Sequence, residues 1–238
     1  MPGTLSPTRR LATAARWPAG VSLTAWRYMW RTTPFHRSEQ PGTPDEDSPP
    51  PLDAGVETDD VQWPVDGVGP LFHRRYRARI RQAGRSPEEL MALLQADPDA
   101  AAPGEFATFI KVAGEEERMR VGDEFLVRMA GPWDGPVRVV ALGPTSFRLA
   151  TLAGHLEAGQ IEFGAHEEDG YLVVTVESWA RSGDRLAHVL YHKLRMAKEV
   201  QLHMWISYLE RIVDLAGGRL TGGISIETRR VEEAVDAP

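Results

Sequence analysis

After Ser182 the hydrophobic period of the chain changes, and that change limits the folds open to it. Six short segments with alternating apolar side chains precede it, at residues 105–112, 122–129, 136–142, 146–152, 159–166 and 171–179. A period of two is typical of half-buried strands, and short turns such as Gly143-Pro144 join antiparallel neighbours. From Leu186 to Leu215 the apolar residues recur every three or four positions instead, which predicts one long amphipathic helix.

One further strand is predicted before these six. Residues 71–81 alternate apolar side chains with histidine or arginine, which is typical of a half-buried strand with a basic outer face. Such a face can bind RNA or phosphate. In a chain of net charge −7, a solvated strand face is the simpler interpretation.

Helix ends and a last strand complete the order of elements. The segment Ser86-Pro87-Glu88-Glu89 has the pattern of a capping box, so a helix should begin there, and residues 99–102 can form a second short turn. Gly217-Gly218 should end the long helix. Residues 219–228 have the pattern of a strand-like tail.

This order predicts an α+β fold of the helix-grip type. A curved antiparallel sheet of about seven strands would wrap around the long C-terminal helix, with two short helices after the first strand. The arrangement leaves a space between sheet and helix that is lined mainly by apolar side chains. A small hydrophobic or amphipathic molecule would fit such a space.

The charges are unevenly distributed and divide the chain into regions. Residues 1–40 carry six arginines and one acid, whereas residues 41–66 carry eight acids, several prolines and no base. Like charges and prolines oppose regular structure, so 41–66 is predicted to be a disordered, solvated linker. We expect 1–40 to form a basic, tryptophan-rich arm, 67–230 the helix-grip domain and 231–238 a disordered tail.

Location is predicted from what the arm lacks. Thr8-Arg9-Arg10-Leu11 superficially resembles a twin-arginine export signal, but Arg16 and Pro18 interrupt the stretch that should follow. The chain has no cysteine and no apolar run long enough to cross a membrane. We therefore predict a cytoplasmic protein.

Residues 19–31 fit an amphipathic helix that docks on its own domain or a partner, or that lies on a membrane surface.

The sequence contains no known motif for binding a cofactor or a nucleotide. It holds no nucleophile elbow, phosphate loop, dinucleotide fingerprint or zinc-protease motif, so no cofactor and no nucleic-acid partner are expected. One side of the predicted long helix does collect titratable groups at metal-ligand spacing. They are His188, His192, Arg195, Glu199, His203 and Glu210. This side lies nearly opposite the leucine stripe, so we expect solvent-exposed charges there and no metal site.

Several segments between residues 67 and 216 have a pattern that points to a known superfamily. The most specific is Gly154-His155-Leu156-Glu157-Ala158-Gly159, which precedes a strand. The others are Val121-Gly122-Asp123, Gly135-Pro136-Val137-Arg138-Val139-Val140, Ser146-Phe147-Arg148-Leu149-Ala150-Thr151-Leu152, Glu162-Phe163 and Ser178-Trp179-Ala180-Arg181. In these segments the chain resembles the START-like (SRPBCC) helix-grip superfamily, and within it a family of domains of unknown function. The resemblance implies a ligand-binding domain and supplies no catalytic residues.

Candidate site residues come from the turn at 154–159 and from the strands. His155 and Glu157 could act as acid and base, or could stabilise the turn through hydrogen bonds to the backbone. Glu177 stands on a largely apolar strand and would anchor a ligand if it points inward, as Arg148 could for an anionic head group. The predicted ligand-binding residues are Phe125, Val127, Arg148, His155, Glu157, Phe163, Glu177, Trp179, Met204 and Tyr208.

Three functions are compatible with these observations. The first is a non-catalytic binder of a small hydrophobic or amphipathic molecule. The second is an enzyme that acts on such a molecule, with His155, Glu157 and Glu177 as the acid–base candidates. The third is an interaction module whose N-terminal arm contacts a membrane surface or a partner protein.

Overall fold

The computed structural model describes residues 33–53, 55–102, 107–115, 118–129, 134–183 and 196–232. The strands in these ranges are Phe35–Pro41 (β1), Val68–Arg81 (β2), Ala107–Ala113 (β3), Glu124–Met129 (β4), Asp134–Leu142 (β5), Ser146–Thr151 (β6), Glu157–Glu168 (β7), Tyr171–Ser182 (β8) and Arg219–Val231 (β9). The helices are Pro44–Asp47 (α1), Pro87–Ala96 (α2) and Met196–Ala216 (α3), and single 3-10 turns span Pro64–Asp66 and Pro98–Ala100. None of the helices described is long and apolar enough to cross a membrane.

The strands form one curved sheet in the order β1-β9-β2-β8-β7-β6-β5-β4-β3. Neighbouring strands are antiparallel except β1 and β9, which are parallel. From β3 to β8 the spatial order follows the chain, because short turns connect the antiparallel neighbours. At Asp169 and Gly170 both residues of the turn have positive φ, of 51° and 76°. The long-range pairings are those of β2 with β8 and β9, and of β1 with β9.

The core lies between the inner face of the sheet and α3. Leucine, isoleucine and tryptophan side chains of α3 are buried against it, among them Trp205, Ile206 and Leu209. The sheet contributes every second residue of its strands, such as Val174 and Val176 of β8. The helix therefore packs on one face of the sheet only, and the other face, which we call the outer face, is left for other contacts.

The predicted helix-grip architecture is confirmed. The seven predicted strands are all present, and Ser86 begins α2 with the expected capping box, its hydroxyl accepting a hydrogen bond from the N–H of Glu89. Ala216 ends α3, and Gly217 follows with a φ of 68°, the left-handed conformation that glycine adopts without strain.

The sheet is wider than predicted, because β1 and β9 add two strands at one edge. β9 forms from the predicted strand-like tail and extends it to Val231. β1 lies in the region that the sequence predicted as arm, whose residues 1–32 are outside the described ranges. The sequence of β1 does not alternate between apolar and polar side chains, because six of its seven residues are exposed, so it gives no strand pattern.

The segment 41–66 does not form the solvated linker that its composition predicted. Residues 42–53 and 55–62, which we call the outer strap, lie across the outer face of the sheet. Val61 of the strap is buried with Leu152 of the β6–β7 turn, and Leu52 packs against the same cluster. The acids of the strap meet basic groups of the sheet, as Asp60 meets Arg138 at 2.6 Å. Charge pairing with the sheet therefore offsets the repulsion that the sequence alone suggested.

The buried face of α3 is also broader than the predicted leucine stripe. His203 was expected on a solvent-exposed side of the helix, yet it is buried, and Glu210 is half-buried. Trp205, Leu209 and Val213 widen the apolar face beyond the leucines and bring its flank into contact with the fold. His188, His192, Arg195 and the side chain of Glu199 lie outside the described residues. Within the described ranges no group of three histidine or acidic residues could hold a metal ion.

Candidate functional site

Four aromatic rings occupy the space between the inner face and α3. Phe147 of β6 stacks on Phe163 of β7 with ring centres 4.7 Å apart. Trp205 and Tyr208 of α3 meet Phe163 at 5.7 Å and 5.4 Å, and each other at 5.7 Å. Offset and edge-to-face rings at these distances pack favourably beyond their buried area. This aromatic cluster is therefore the centre of the interior.

The hydroxyl of Tyr208 is a buried polar group of this cluster that has no partner in the described part of the chain. The side chain is 1% exposed, and its oxygen finds no hydrogen bond among the described residues. A buried polar group without a partner costs about 1–3 kcal/mol. Burial raises the pKa of Tyr208, and the charges of Asp99 and Asp97 raise it further, so the hydroxyl stays protonated.

The turn at Pro98–Ala100 forms the polar end of this interior. Asp99 accepts a hydrogen bond from the backbone N–H of Phe109, and burial raises the pKa of its carboxyl group. Arg211, three residues after Tyr208 on α3, donates to the backbone oxygen of Ala102. Carboxylates and an unpaired hydroxyl thus lie at one end of an otherwise apolar region.

A half-buried apolar flank lies on the side of β3 and β4. Phe109 and Val127, which face each other across these strands, are only partly buried, as are Ile161 of β7 and Met204 of α3. All four pack against the main core. These partly exposed apolar side chains extend the apolar region to the surface on the side of β3 and β4.

Five predicted ligand-binding residues lie on the inner side of the sheet. They are Phe125, Val127, Phe163, Met204 and Tyr208, and all belong to or pack against the core beneath α3. The structure brings Phe163 and Tyr208 into direct contact. Their role in ligand binding stays a prediction.

Three others lie on the outer face, contrary to the expectation that they line the interior. Glu177 and Trp179 alternate with Val176, which faces α3, so both project to the opposite side of β8. Arg148 alternates with the inward-facing Phe147 in the same way. Arg148 lies 3.8 Å from Glu162 and donates to the backbone oxygen of Pro51 in the outer strap at 3.4 Å.

His155 and Glu157 serve the turn in which they lie. The ring nitrogen Nδ1 of His155 lies 2.9 Å from the backbone nitrogen of Glu157, and burial lowers the pKa of the ring. Gln62 of the outer strap donates to the backbone oxygens of both residues, at 3.1 Å and 3.2 Å, and accepts from the N–H of Gly154 at 3.2 Å. An acid–base role for the pair stays a prediction, and Glu177 does not join it, because it is bound elsewhere.

The partners of Glu177 form a charged cluster on the outer face. His73 of β2 places Nε2 2.6 Å from Glu177 and Nδ1 2.7 Å from Asp47 of α1. Arg75 also donates to Glu177 at 2.6 Å, and the His73 ring stacks on Trp179 with centres 5.1 Å apart. Burial alone would raise the pKa of Glu177, but the hydrogen bonds from His73 and Arg75 lower it.

Four residues of the basic stripe of β2 lie beside acids in the folded chain, namely His73, Arg75, Arg77 and Arg79. Arg77 donates to Glu168 at 2.6 Å, and Arg79 lies 3.9 Å from Asp169 while its guanidinium covers the ring of Tyr171. Arginines that are paired in this way present little free positive charge. The stripe is part of an outer face of paired charges.

Comparison with known protein families gives one match, the Domain of unknown function (DUF1990), over residues 72–211. More than half of the chain lies in this match. The chain belongs to the DUF1990 family. His73, Glu177 and Tyr208 stand inside the region that defines the family, whereas Asp47 and β9 stand outside it. No curated protein matches the DUF1990 chain.

Solved structures with a similar fold include bacterial and plant proteins. Protein Ms6760 from Mycobacterium smegmatis is 19% identical, over 66% of the DUF1990 chain and 95% of its own, with a TM-score of 0.41. A hypothetical protein, jhp0584, from Helicobacter pylori is 10% identical over 60% and 86%, with a TM-score of 0.45. The major latex-like protein 151 from Panax ginseng is 13% identical over 56% and 97%, with a TM-score of 0.38.

Sequence reasoning missed the Asp47–His73 contact in this DUF1990 chain, although a signal for it was present. An acidic segment stands directly before a strand with a basic face, and opposite charges of that size attract. The length of the segment allows it to fold back on the strand. The pairing of particular residues depends on the register of β2 with β8 and β9, which the sequence does not reveal.

Proposed function

We propose that this DUF1990 domain binds a small hydrophobic or amphipathic molecule between the inner face of the sheet and α3. The observation that carries the proposal is the Tyr208 hydroxyl, which is buried among aromatic rings without a partner in the described residues. A ligand that offers a hydrogen bond there would remove the cost of the unpaired group. The half-buried apolar flank of Phe109, Val127 and Met204 supports the same location.

The charges around Tyr208 favour one kind of polar group on the ligand. Asp97 and Asp99 lie close enough to raise the pKa of Tyr208, and Arg211 is engaged with Ala102. A carboxylate placed beside these acids would be repelled. We therefore infer a ligand with an uncharged hydroxyl or an ammonium at its polar end, on an apolar body.

A matched set of twelve-carbon probes tests this function. Native mass spectrometry of the full chain with 1-dodecanol, dodecylamine or dodecanoate should show retention of the first two, with dodecanoate at least about tenfold weaker. Tyr208→Phe should weaken dodecanol binding by about five- to tenfold, the value of one hydrogen bond. Tyr171→Phe, which changes a tyrosine at the far end of β8, is the matched control and should bind as the wild type does.

The outcomes separate the parts of the proposal. Binding of none of the three probes would contradict an interior binding site. Binding of all three with equal affinity for wild type and Tyr208→Phe would contradict the role of the hydroxyl. A cytoplasmic location and a role for the N-terminal arm, whose residues 1–32 lie outside the described ranges, stay predictions.

A further inference from the structure

His73 is held between two carboxylates on the outer face. Its Nδ1 lies 2.7 Å from Oδ1 of Asp47, and its Nε2 lies 2.6 Å from Oε1 of Glu177. The ring is flat against Trp179, with an angle of 18° between the planes. The side chains of His73, Glu177 and Asp47 are 11%, 18% and 1% exposed, so water competes little for these contacts.

This geometry requires a charged imidazole ring. A carboxylate oxygen only accepts hydrogen bonds, so each of the two ring nitrogens must carry a hydrogen. A neutral ring has one hydrogen and would point a lone pair at one of the two carboxylates. The same conclusion follows from the electrostatics, since burial alone would lower the pKa of His73, but the hydrogen bonds and charges of Glu177 and Asp47 raise it.

Asp47 connects this cluster to the outer strap. Its Oδ2 accepts a hydrogen bond from the backbone N–H of Thr43 at 2.8 Å, and its own N–H donates to the backbone oxygen of Thr43 at 2.9 Å. The turn is tight, because a side chain added at Gly42 would come within 2.6 Å of Oδ2. A buried carboxylate therefore fastens the start of the strap to β2.

We propose that His73 is a pH-operated latch for the outer strap. The protonated ring holds Asp47 and closes the strap on the sheet. When the ring loses its proton, the buried carboxylate of Asp47 loses its cationic partner, and the strap opens at residues 42–47.

The other charges around His73 determine which side opens. Glu177 keeps Arg75 as a partner at 2.6 Å after the ring is neutral. Asp47 keeps the N–H of Thr43, but its one remaining cationic partner among the described residues is Arg229. The Nε of Arg229 is 3.8 Å away and its side chain is 43% exposed, so this attraction is weak. The charged groups that surround the latch are Asp47 and Glu46 of α1, Arg75 of β2, Glu162 of β7, Glu177 of β8, and Glu227 and Arg229 of β9.

The latch should work over a defined range of pH. Because the pKa of His73 is raised in the folded chain, its contribution is complete below about 6.5 and is lost as the pH rises through the folded pKa. The pKa values of Asp47 and Glu177 are lowered, since hydrogen bonds outweigh burial, so their contributions are lost only as the pH falls below the usual carboxylate range. The strap should therefore be closed in mildly acidic solution and open in alkaline solution.

Amide hydrogen exchange of the full chain between pH 5.5 and 9 tests the latch. After correction for the intrinsic exchange rate, protection of the Thr43 and Asp47 amides should fall by about tenfold per pH unit between about 6.5 and the folded pKa of His73. Nitrogen NMR of the His73 ring should show hydrogen on both nitrogens at pH 6. Amides of β8, such as that of Val176, serve as the internal reference and should stay protected throughout.

Three variants make the test specific. His73→Gln should lose protection at residues 42–47 at every pH and show no pH dependence. His166→Gln changes an exposed histidine of β7 that lies 3.4 Å from Glu168, and it should behave as the wild type does. Glu177→Gln leaves Asp47 untouched but should move the midpoint of opening to lower pH.

Clear results would overturn the proposal. These are a neutral His73 ring at pH 6, protection of Thr43 that does not vary with pH in the wild type, or an unchanged midpoint in Glu177→Gln. Loss of protection at every pH in His166→Gln, as expected for His73→Gln, would show that the effect is not specific to His73 and would equally reject the latch. The test does not depend on ligand binding in the interior.

Discussion

The inner and outer faces of the sheet use the same strands for different purposes. On β8, Val174 and Val176 face α3, whereas Glu177 and Trp179 alternate with them and face the outer strap. Apolar burial holds the inner face together, and among the described residues the Tyr208 hydroxyl is buried there without a partner. Charge pairs and the small apolar cluster around Val61 hold the strap on the outer face. The strap is therefore part of the fold, because arginine and histidine side chains of the outer face pair with its acids.

The largest effect is expected at the centre of the inner face. Phe163 is 2% exposed and contacts Phe147, Trp205 and Tyr208, so Phe163→Ala would leave a cavity among the three remaining rings. The free energy of unfolding in urea should fall by about 3–5 kcal/mol. Thr175→Ala, a truncation on the outer face of the adjacent strand, should cost under about 1 kcal/mol. A similar loss of unfolding free energy in the two variants would contradict the view that apolar burial on the inner face contributes more stability than the outer face does.

A smaller but clear effect is expected where the strap meets the outer face. Arg138, 4% exposed, bonds Asp60 of the strap at 2.6 Å and also Glu124 of β4. Arg138→Met should lower the free energy of unfolding by about 2 kcal/mol, which is less than a fully buried pair costs, because Asp60 is 45% exposed.

Arg120→Met is the matched control for this substitution. Arg120 pairs with Glu115 at 2.6 Å, but both side chains are more than half exposed, at 58% and 61%. Its loss should change the free energy of unfolding by under about 0.5 kcal/mol. An equal cost at both positions would mean that burial of Arg138 under the strap does not matter.

The next prediction concerns pH and stability. The pKa of His73 is raised in the folded chain, so the free energy of unfolding should fall as the pH rises above about 6.5. The fall should be about 1.4 kcal/mol for each pH unit until the pH reaches the folded pKa of His73. In His73→Gln this part of the pH dependence should vanish. Urea unfolding at pH 6, 7, 8 and 9 measures the difference. A wild-type curve parallel to that of the variant would show that the outer face contributes no pH-dependent stability.

The sequence predicted the inner face better than the outer one. Alternation in β2 and β4 to β8 and the period of α3 are local signals that burial imposes on the chain, and they led to the helix-grip fold and to Phe163 and Tyr208. From the sequence the facing of Glu177 stayed open and Trp179 was expected among the residues of the interior, although alternation with Val176 indicates the outer face for both. The strap was not predicted, because proline and acid content describe a chain without its partner, and the partner is a sheet surface assembled from distant strands.

The smallest change in the free energy of unfolding is expected at Tyr208, where, unlike most substitutions in a core, removal of a group should not destabilise the fold. Its hydroxyl is buried without a hydrogen bond among the described residues, so Tyr208→Phe removes an unpaired polar group and leaves the ring contacts with Phe163 and Trp205 in place. The free energy of unfolding without ligand should stay unchanged or rise by up to about 1 kcal/mol. Tyr171→Phe gives the reference for the same chemical change outside the core. A loss of more than about 1 kcal/mol in Tyr208→Phe would mean that the hydroxyl is already satisfied within the chain, and the inner face would then offer no polar contact to a ligand at this point.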